Sequence, residues 1–347
     1  MSTKEDRIQA STAPTRFPAS RSIVLISLLV AVGGAVALFV TLGGDRPTTD
    51  PVAATLNLTG QPIGMTYGGE SLWISVNDPP DFATGRLVRL NPGTGDVQSQ
   101  LDLGGDVSFS EMVGDELWVV VEADDFNQPI EERSAELIAV DAGTGEVTGR
   151  FETGADTRQL VFGDGTLWVA NGHSGDVIAI DPALRVPVGA PIQVGGWLLG
   201  IDHADGAIWV TLPDEGQVAR IDLASNNIDK IDVGGFPVGV VVTSGGVYVA
   251  DPDRGLIRID PQTFQVGDPI DLGGASFWPV FDGESVWIGT APRGIVTRID
   301  AATGEKVGPA ILTESSPPEN GNGMVAIGGG SVWAMGSQSV VRIDPDR

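Results

Sequence analysis

Short apolar bursts separated by Gly- and Asp-rich turns recur along almost the whole chain. Residues 273–304 form one complete unit: a Gly-Gly loop, an apolar strand ending near Val280, a turn at Asp282-Gly283, a strand over 285–289, a short polar loop, and a strand over 294–300 closed by Ala-Ala-Thr-Gly. An aromatic in the second strand of each unit recurs as Trp73, Trp118, Trp168, Trp209, Tyr248, Trp287 and Trp333, at spacings of 45, 50, 41, 39, 39 and 46 residues. The end of the third strand recurs as Leu90-Asn91, Val140-Asp141, Ile180-Asp181, Ile221-Asp222, Ile259-Asp260, Ile299-Asp300 and Ile343-Asp344. Both marks count seven copies. A four-stranded unit of this length cannot bury its two faces alone, but it can stack against neighbours around an axis. The pattern therefore predicts an all-β, seven-bladed β-propeller of four-stranded antiparallel blades over 51–347.

The last copy lacks its fourth strand, because the chain stops just after Ile343-Asp344-Pro345, while a spare strand over 53–58 precedes the first copy. The spare strand is expected to complete the last blade and so remove the open edges of a linear array. The recurrent aromatics are expected to fill the gaps between blades. The recurrent Asp141, Asp181, Asp222, Asp260, Asp300 and Asp344 stand at turn starts, where a carboxylate accepts the turn's own amides, so they are expected to anchor turns.

Ahead of the repeats, residues 1–21 are polar and read as a cytoplasmic tail. Twenty uncharged residues follow over 23–42; as a helix they would rise about 30 Å, the thickness of a bilayer's hydrocarbon core. A transmembrane signal-anchor helix is expected over 22–42 and a tether over 43–50. A signal peptide would be shorter and end in a small-residue cleavage site. Here Ala35-Val36-Ala37 lies inside the apolar run. Basic residues before the segment and Asp45 and Asp50 after it put the amino terminus in the cytoplasm and the propeller outside the cell membrane, as a single-pass protein.

Composition narrows the chemistry. Gly 48 and Pro 23 fall mostly at regular turn positions, and Cys 0 excludes disulfides and Cys-based metal sites. A net charge of -26 repels phosphate backbones, so no nucleic acid is expected as a partner, while cations and basic peptides are favoured. No nucleotide, dinucleotide or H-E-x-x-H motif is present, and the acidic segment 124–132 lacks calcium-loop spacing, so no cofactor or metal is expected.

In a four-stranded blade, the loops from strand four to the next strand one and from strand two to strand three share one face. That face forms the mouth of the axial channel. The first set of loops carries Phe109, Glu111, Arg158, Trp197, Phe236 and Trp278; the second carries Asp78, Asp124, Asp214, Asp251 and Arg293. Together they predict a mouth rimmed with carboxylates and floored by rings, suited to a cationic or amphipathic small molecule, a peptide or an envelope protein. Capping of the blade cores is the other role open to Trp197, Phe236 and Trp278. The enlarged second-blade loop over 122–133 marks this as the binding face. The sparse candidates for acid–base chemistry are His173 with Glu215 or Asp214 on the neighbouring blade; His203 belongs on the opposite face.

The repeats "GDGTLWVANGHSGDVIAIDP" and "SGGVYVADPDRGLIRIDP" resemble those of the streptogramin lyase (virginiamycin B lyase-like) and YncE/YVTN-type seven-bladed propellers over residues 51–347. The lyase resemblance implies a Mg-dependent elimination using a histidine and a glutamate near the channel, with Mg or Ca as cofactor. The lyases read W-F-T-E after the hairpin, whereas this chain reads Trp168-Val169-Ala170-Asn171 and Trp287-Ile288-Gly289-Thr290. A partial likeness to quinoprotein repeats in "VDAGTGEV" and "IDAATGEKV" stops short of that family's tryptophan. The expected function is a non-catalytic, membrane-anchored propeller binding a ligand or partner at its mouth. The alternatives are a lyase or hydrolase acting on a peptide or saccharide, and a structural member of an envelope complex.

Overall fold

The computed structural model describes residues 51–78, 84–122, 134–154, 156–291, 294–313, 323–336 and 338–346. Seven antiparallel sheets follow one another along the chain. The first strands of successive sheets touch in order and the seventh touches the first, so the ring closes around an axis lined by first strands. Those inner strands are Gln61–Gly68, Asp106–Val113, Thr157–Gly163, Ile201–Ala204, Val240–Thr243, the broken pair Ala275–Ser276 and Val280–Phe281, and Val325–Gly328. The last blade is completed by Val52–Asn57, which pairs antiparallel with Ser339–Ile343, from Val52 opposite Ile343 to Asn57 opposite Ser339. Blade five departs most from the four-stranded plan: its outer ribbon joins only through the bridges Leu256 to Ile270 and Ile259 to Val266. Pro269 lies in that ribbon and has no amide to give a ladder.

Buried apolar side chains among the described residues fall into seven clusters, one at each junction between neighbouring blades. All seven recurrent aromatics are buried there. Each presents its ring to the following blade: Trp73 packs with Leu117 and Val119 of blade two, and Trp287 with Val325 and Val332 of blade seven. The turn carboxylates also act as the pattern anticipates. Asp300, for example, accepts the amides of Ala302 at 3.1 Å and Thr303 at 2.7 Å.

An arginine pairs across the third strand from the aromatic in five blades: Arg89, Arg220, Arg258, Arg298 and Arg342. The guanidinium of Arg298 lies 5.2 Å from the centre of the Trp287 ring. Its Nε donates to Ser285 Oγ at 2.9 Å and its Nη1 to the Pro345 carbonyl of the next blade at 3.4 Å. Blade two carries Ala139 at this place, and Arg185 from blade three reaches over Trp118 instead. Arg89, Arg258 and Arg298 latch their blades to the successors, donating to the carbonyls of Gly143, Ala302 and Pro345. Replacing Arg298 by Met keeps the apolar stem but removes the cation–π and hydrogen-bonding terms. It should cost about 1–2 kcal/mol, read as a lower urea midpoint with an unchanged slope. A shift of a few tenths of a kcal/mol or less would remove the latch from the account.

Inner strands carry a one-residue bulge near the mouth, seen between Pro62 and Gly64, Val107 and Ser110, and Thr157 and Gln159. A bulge bends a strand and re-aims its side chains. It also brings neighbouring blades close: a Cβ at Gly64 would lie 2.3 Å from the Ser108 carbonyl, and one at Gly239 2.1 Å from that of Phe277. Only glycine fits there.

Among the described residues no helix is long and apolar enough to cross a membrane. The expected tail, anchor and tether over 1–50 lie outside the described residues.

Candidate functional site

Two residue registers, counted back from each recurrent aromatic, build the channel. Nine residues upstream stand Gly64, Phe109, Gln159, Gly200, Gly239, Trp278 and Met324; seven upstream stand Thr66, Glu111, Val161, Asp202, Val241, Val280 and Ala326. Inner strands run from the mouth face to the hairpin face, so the first register lies nearer the mouth.

In the first register, Phe109 of blade two and Trp278 of blade six meet edge to face, with ring centres 4.7 Å apart and planes at 69°. These blades are not neighbours. The pair crosses the axis and obstructs the channel, packed against the cluster that holds Met65, Met324 and Met335. Around and below it lies a cavity of about 420 Å³, lined by residues of six blades, including Thr66, Tyr67, Glu111, Met112, Gln159, Val240 and Phe281.

In the second register, apolar or hydroxyl side chains give way to carboxyls in two blades. Each carboxyl reaches the inner strand of the following blade, whose axial edge has no ladder partner. Asp202 accepts the Val242 amide at 2.6 Å and the His203 amide at 2.8 Å, and Glu111 accepts the Phe162 amide. Phe162 and Val242 occupy equivalent positions, so the two carboxyls serve the same structural end. Both side chains keep some contact with solvent through the channel, yet protein surrounds them closely enough to penalise charge. Burial pushes Glu111 up to about 7, against the pull of the Phe162 amide and with added repulsion from Asp202. Burial likewise pushes Asp202 up to about 6, against its two amides. Desolvation outweighs the hydrogen bonds in both cases.

The sequence pattern places Phe109, Glu111 and Arg158 in mouth loops; the structure places them on inner strands. Bulged pairing with the second strand extends those strands towards the mouth. Trp278 joins Phe109 in the channel and stands apart from Trp197 and Phe236, because it occupies the channel register of its own blade. Asp202 was not among the expected site residues. Its signal was an acidic residue seven before the aromatic, where four other copies carry Val or Ala.

At the mouth, Trp197 Nε1 donates to Asp156 Oδ2 at 3.1 Å, and Arg158 pairs with the same buried carboxylate. The Arg158 guanidinium lies 5.4 Å from the Trp197 ring centre, and Trp197 and Phe236 stand 6.3 Å apart. Phe236 is 41% exposed. Asp251 is buried within this constellation: one oxygen accepts the Phe236 amide at 2.7 Å, and the other accepts those of Asp253 and Arg254 at 2.9 and 3.0 Å. It shapes loops and offers little to a ligand. Asp78 is likewise engaged, by Arg86. Asp214 is exposed, Glu215 pairs with Lys230 at 2.9 Å, and His173 is exposed in its loop. Among the described residues no hydrogen bond or ion pair joins His173 to Glu215 or Asp214. His203 packs against Gly163, near Asp164 in the hairpin of blade three, on the face away from the mouth. Asp124 and Arg293 lie outside the described residues.

No family model matches the chain, and no curated protein matches it. Among solved structures it is similar to BamB from Moraxella catarrhalis, with a TM-score of 0.54 and 14% identity over 82% of this chain and 84% of that one. At that identity the likeness shows the β-propeller fold alone.

Proposed function

We propose that the protein is an envelope-associated, non-catalytic propeller, held outside the cell membrane by segment 22–42, that binds a protein or peptide partner at its mouth. The observation that carries this reading is the Trp197–Phe236–Arg158 ledge spanning blades three to five. Tryptophan and arginine dominate binding energy at interfaces. Here the backbone of one ring is fixed by Asp251, and the indole of the other by Asp156. Anchors already held in place lose little freedom on binding. The similarity to BamB supports the architecture, and the resemblance of the repeats to YncE/YVTN-type propellers is consistent with a binding module. A structural place in an envelope complex would use the same surface with an obligate partner.

Recovery of envelope proteins by the full-length chain should fall at least tenfold when Trp197 and Phe236 are both changed to Ala, since each such anchor is worth about 2 kcal/mol or more. Equal recovery by both proteins would overturn the reading.

One feature favours the lyase or hydrolase alternative: Glu111 lies at a cavity wall where burial pushes its carboxyl up to about 7, as suits a general acid or base. The residues do not fit the Mg that this resemblance implies. Among the described residues no three Asp, Glu or His side chains gather as a metal site, and His173 stands apart from Glu111 in an exposed loop.

A further inference from the structure

We infer that the axial cavity is a binding site for a small organic cation, an ammonium group carried on an apolar or aromatic body. The site is separate from the mouth ledge, and the inference holds whether or not the ledge binds a partner.

Size comes first. At about 420 Å³ the cavity falls within the range of small-molecule sites and excludes a folded chain. About half of its wall is apolar: Met65, Met112, Met324, Val240 and Phe281 line it beside the Phe109–Trp278 pair. Ring faces and polarisable thioethers suit an apolar body and attract a cation.

Charge decides the rest. Among the described residues the lining holds one carboxyl, Glu111, and no lysine, arginine or histidine. Two of the polar groups beside it are already engaged. Gln159 Oε1 accepts the Ile201 amide at 3.0 Å, and the Thr66 hydroxyl donates to the Ser110 carbonyl at 2.8 Å. A carboxylate can accept about four hydrogen bonds, and the Phe162 amide takes one. Holding the amide of a neighbouring inner strand does not by itself require a carboxylate, since on blade three the neutral Gln159, one register nearer the mouth, accepts the Ile201 amide of the next blade. Glu111 thus carries a desolvation cost that no cationic side chain of the wall offsets. A ligand bearing a positive charge would offset it, and the net charge of -26 raises the local concentration of cations around the ring.

The test is calorimetric titration of the full-length chain in a neutral detergent at about pH 8, where Glu111 is mainly ionised. The probe is benzyltrimethylammonium, with benzyl alcohol and benzoate as neutral and anionic counterparts. The ammonium probe should bind at one site, at least tenfold more tightly than either counterpart. Glu111→Gln, whose amide oxygen can still accept the Phe162 amide, should weaken it at least tenfold. Val240→Phe, which fills the cavity from blade five, should abolish it. The Trp197→Ala, Phe236→Ala protein should keep the wild-type affinity, which separates this site from the mouth. Absence of binding at millimolar probe, equal binding of the three probes, or an unchanged affinity in both Glu111→Gln and Val240→Phe would overturn the inference.

Discussion

Replacing Val52–Asn57 with a Gly-Ser linker of the same length should abolish the cooperative unfolding transition of the propeller. That strand pairs with Ser339–Ile343, and its neighbourhood is tied by the Leu58 amide to the Gln338 carbonyl and the Asp344 amide to the Pro51 carbonyl, each at 2.8 Å. Val52 packs on the cluster between blades six and seven, and Leu56 on the cluster between blades seven and one. Each ladder hydrogen bond contributes about 1 kcal/mol net, and each of these half-buried aliphatic side chains a part of the about 1.5–3 kcal/mol that full burial brings. Their sum approaches the whole net stability of an ordinary domain, about 5–15 kcal/mol. The loss also opens a sheet edge and breaks the ring, so neighbouring junctions lose their mutual support. Scanning calorimetry of the altered and unaltered chains checks this; matching transitions would mean that the ring does not depend on its closing strand.

The second large effect is an inverted pH dependence near neutrality. The carboxyls of Glu111 and Asp202 rise from 4.5 to about 7 and from 3.8 to about 6 on folding. Between about pH 4 and pH 7 the folded state therefore binds more protons than the unfolded chain, and stability falls as pH rises across that window. At 1.36 kcal/mol per pKa unit, Glu111 alone accounts for about 3 kcal/mol. Below about pH 4 the sign reverses. Asp141 and Asp300 are held below the usual carboxylate range, chiefly by the amides of Thr144 and Thr303, and what they contribute is lost as they protonate. Stability should therefore peak near pH 4–5 and be lower by several kcal/mol at about pH 8. Glu111→Gln should stabilise the protein at about pH 8, by up to about 3 kcal/mol, and flatten the slope. Urea midpoints measured across this range decide the matter, and a wild-type midpoint that rises steadily to neutrality would contradict the placement of these carboxyls.

Both effects, like the cation site, depend on the same inner strands. Closing the ring brings Phe109 to Trp278 and raises Glu111 and Asp202 into one low-dielectric space. An opened ring would release all four. The mouth ledge depends instead on local loop chemistry around Asp156 and Asp251, so its partner binding and the cavity's ligand binding can be removed separately.

Much of this was legible from the chain alone. Seven aromatics at nearly regular spacing, each followed by an Asp- or Asn-led turn, determined the repeat, its count and the use of a spare first strand, because short-range pattern dictates strands and turns. The same register held the positions of Phe109, Trp278, Glu111 and Asp202, nine or seven residues ahead of an aromatic. The loop boundaries were misread because bulged pairing carries a strand past the point where its alternation breaks. What each register position faces was decided only by tertiary structure. Phe109 and Trp278 stand 169 residues apart on blades that do not adjoin, and they meet because the ring closes at a particular radius. Glu111 and Asp202 are ordinary acidic residues, each in the inner strand of its own blade; burial beside the next blade's unpaired edge makes them hold protons near neutrality. Distances across the axis and the desolvation of a charge are properties of the assembled ring, and no single repeat encodes them.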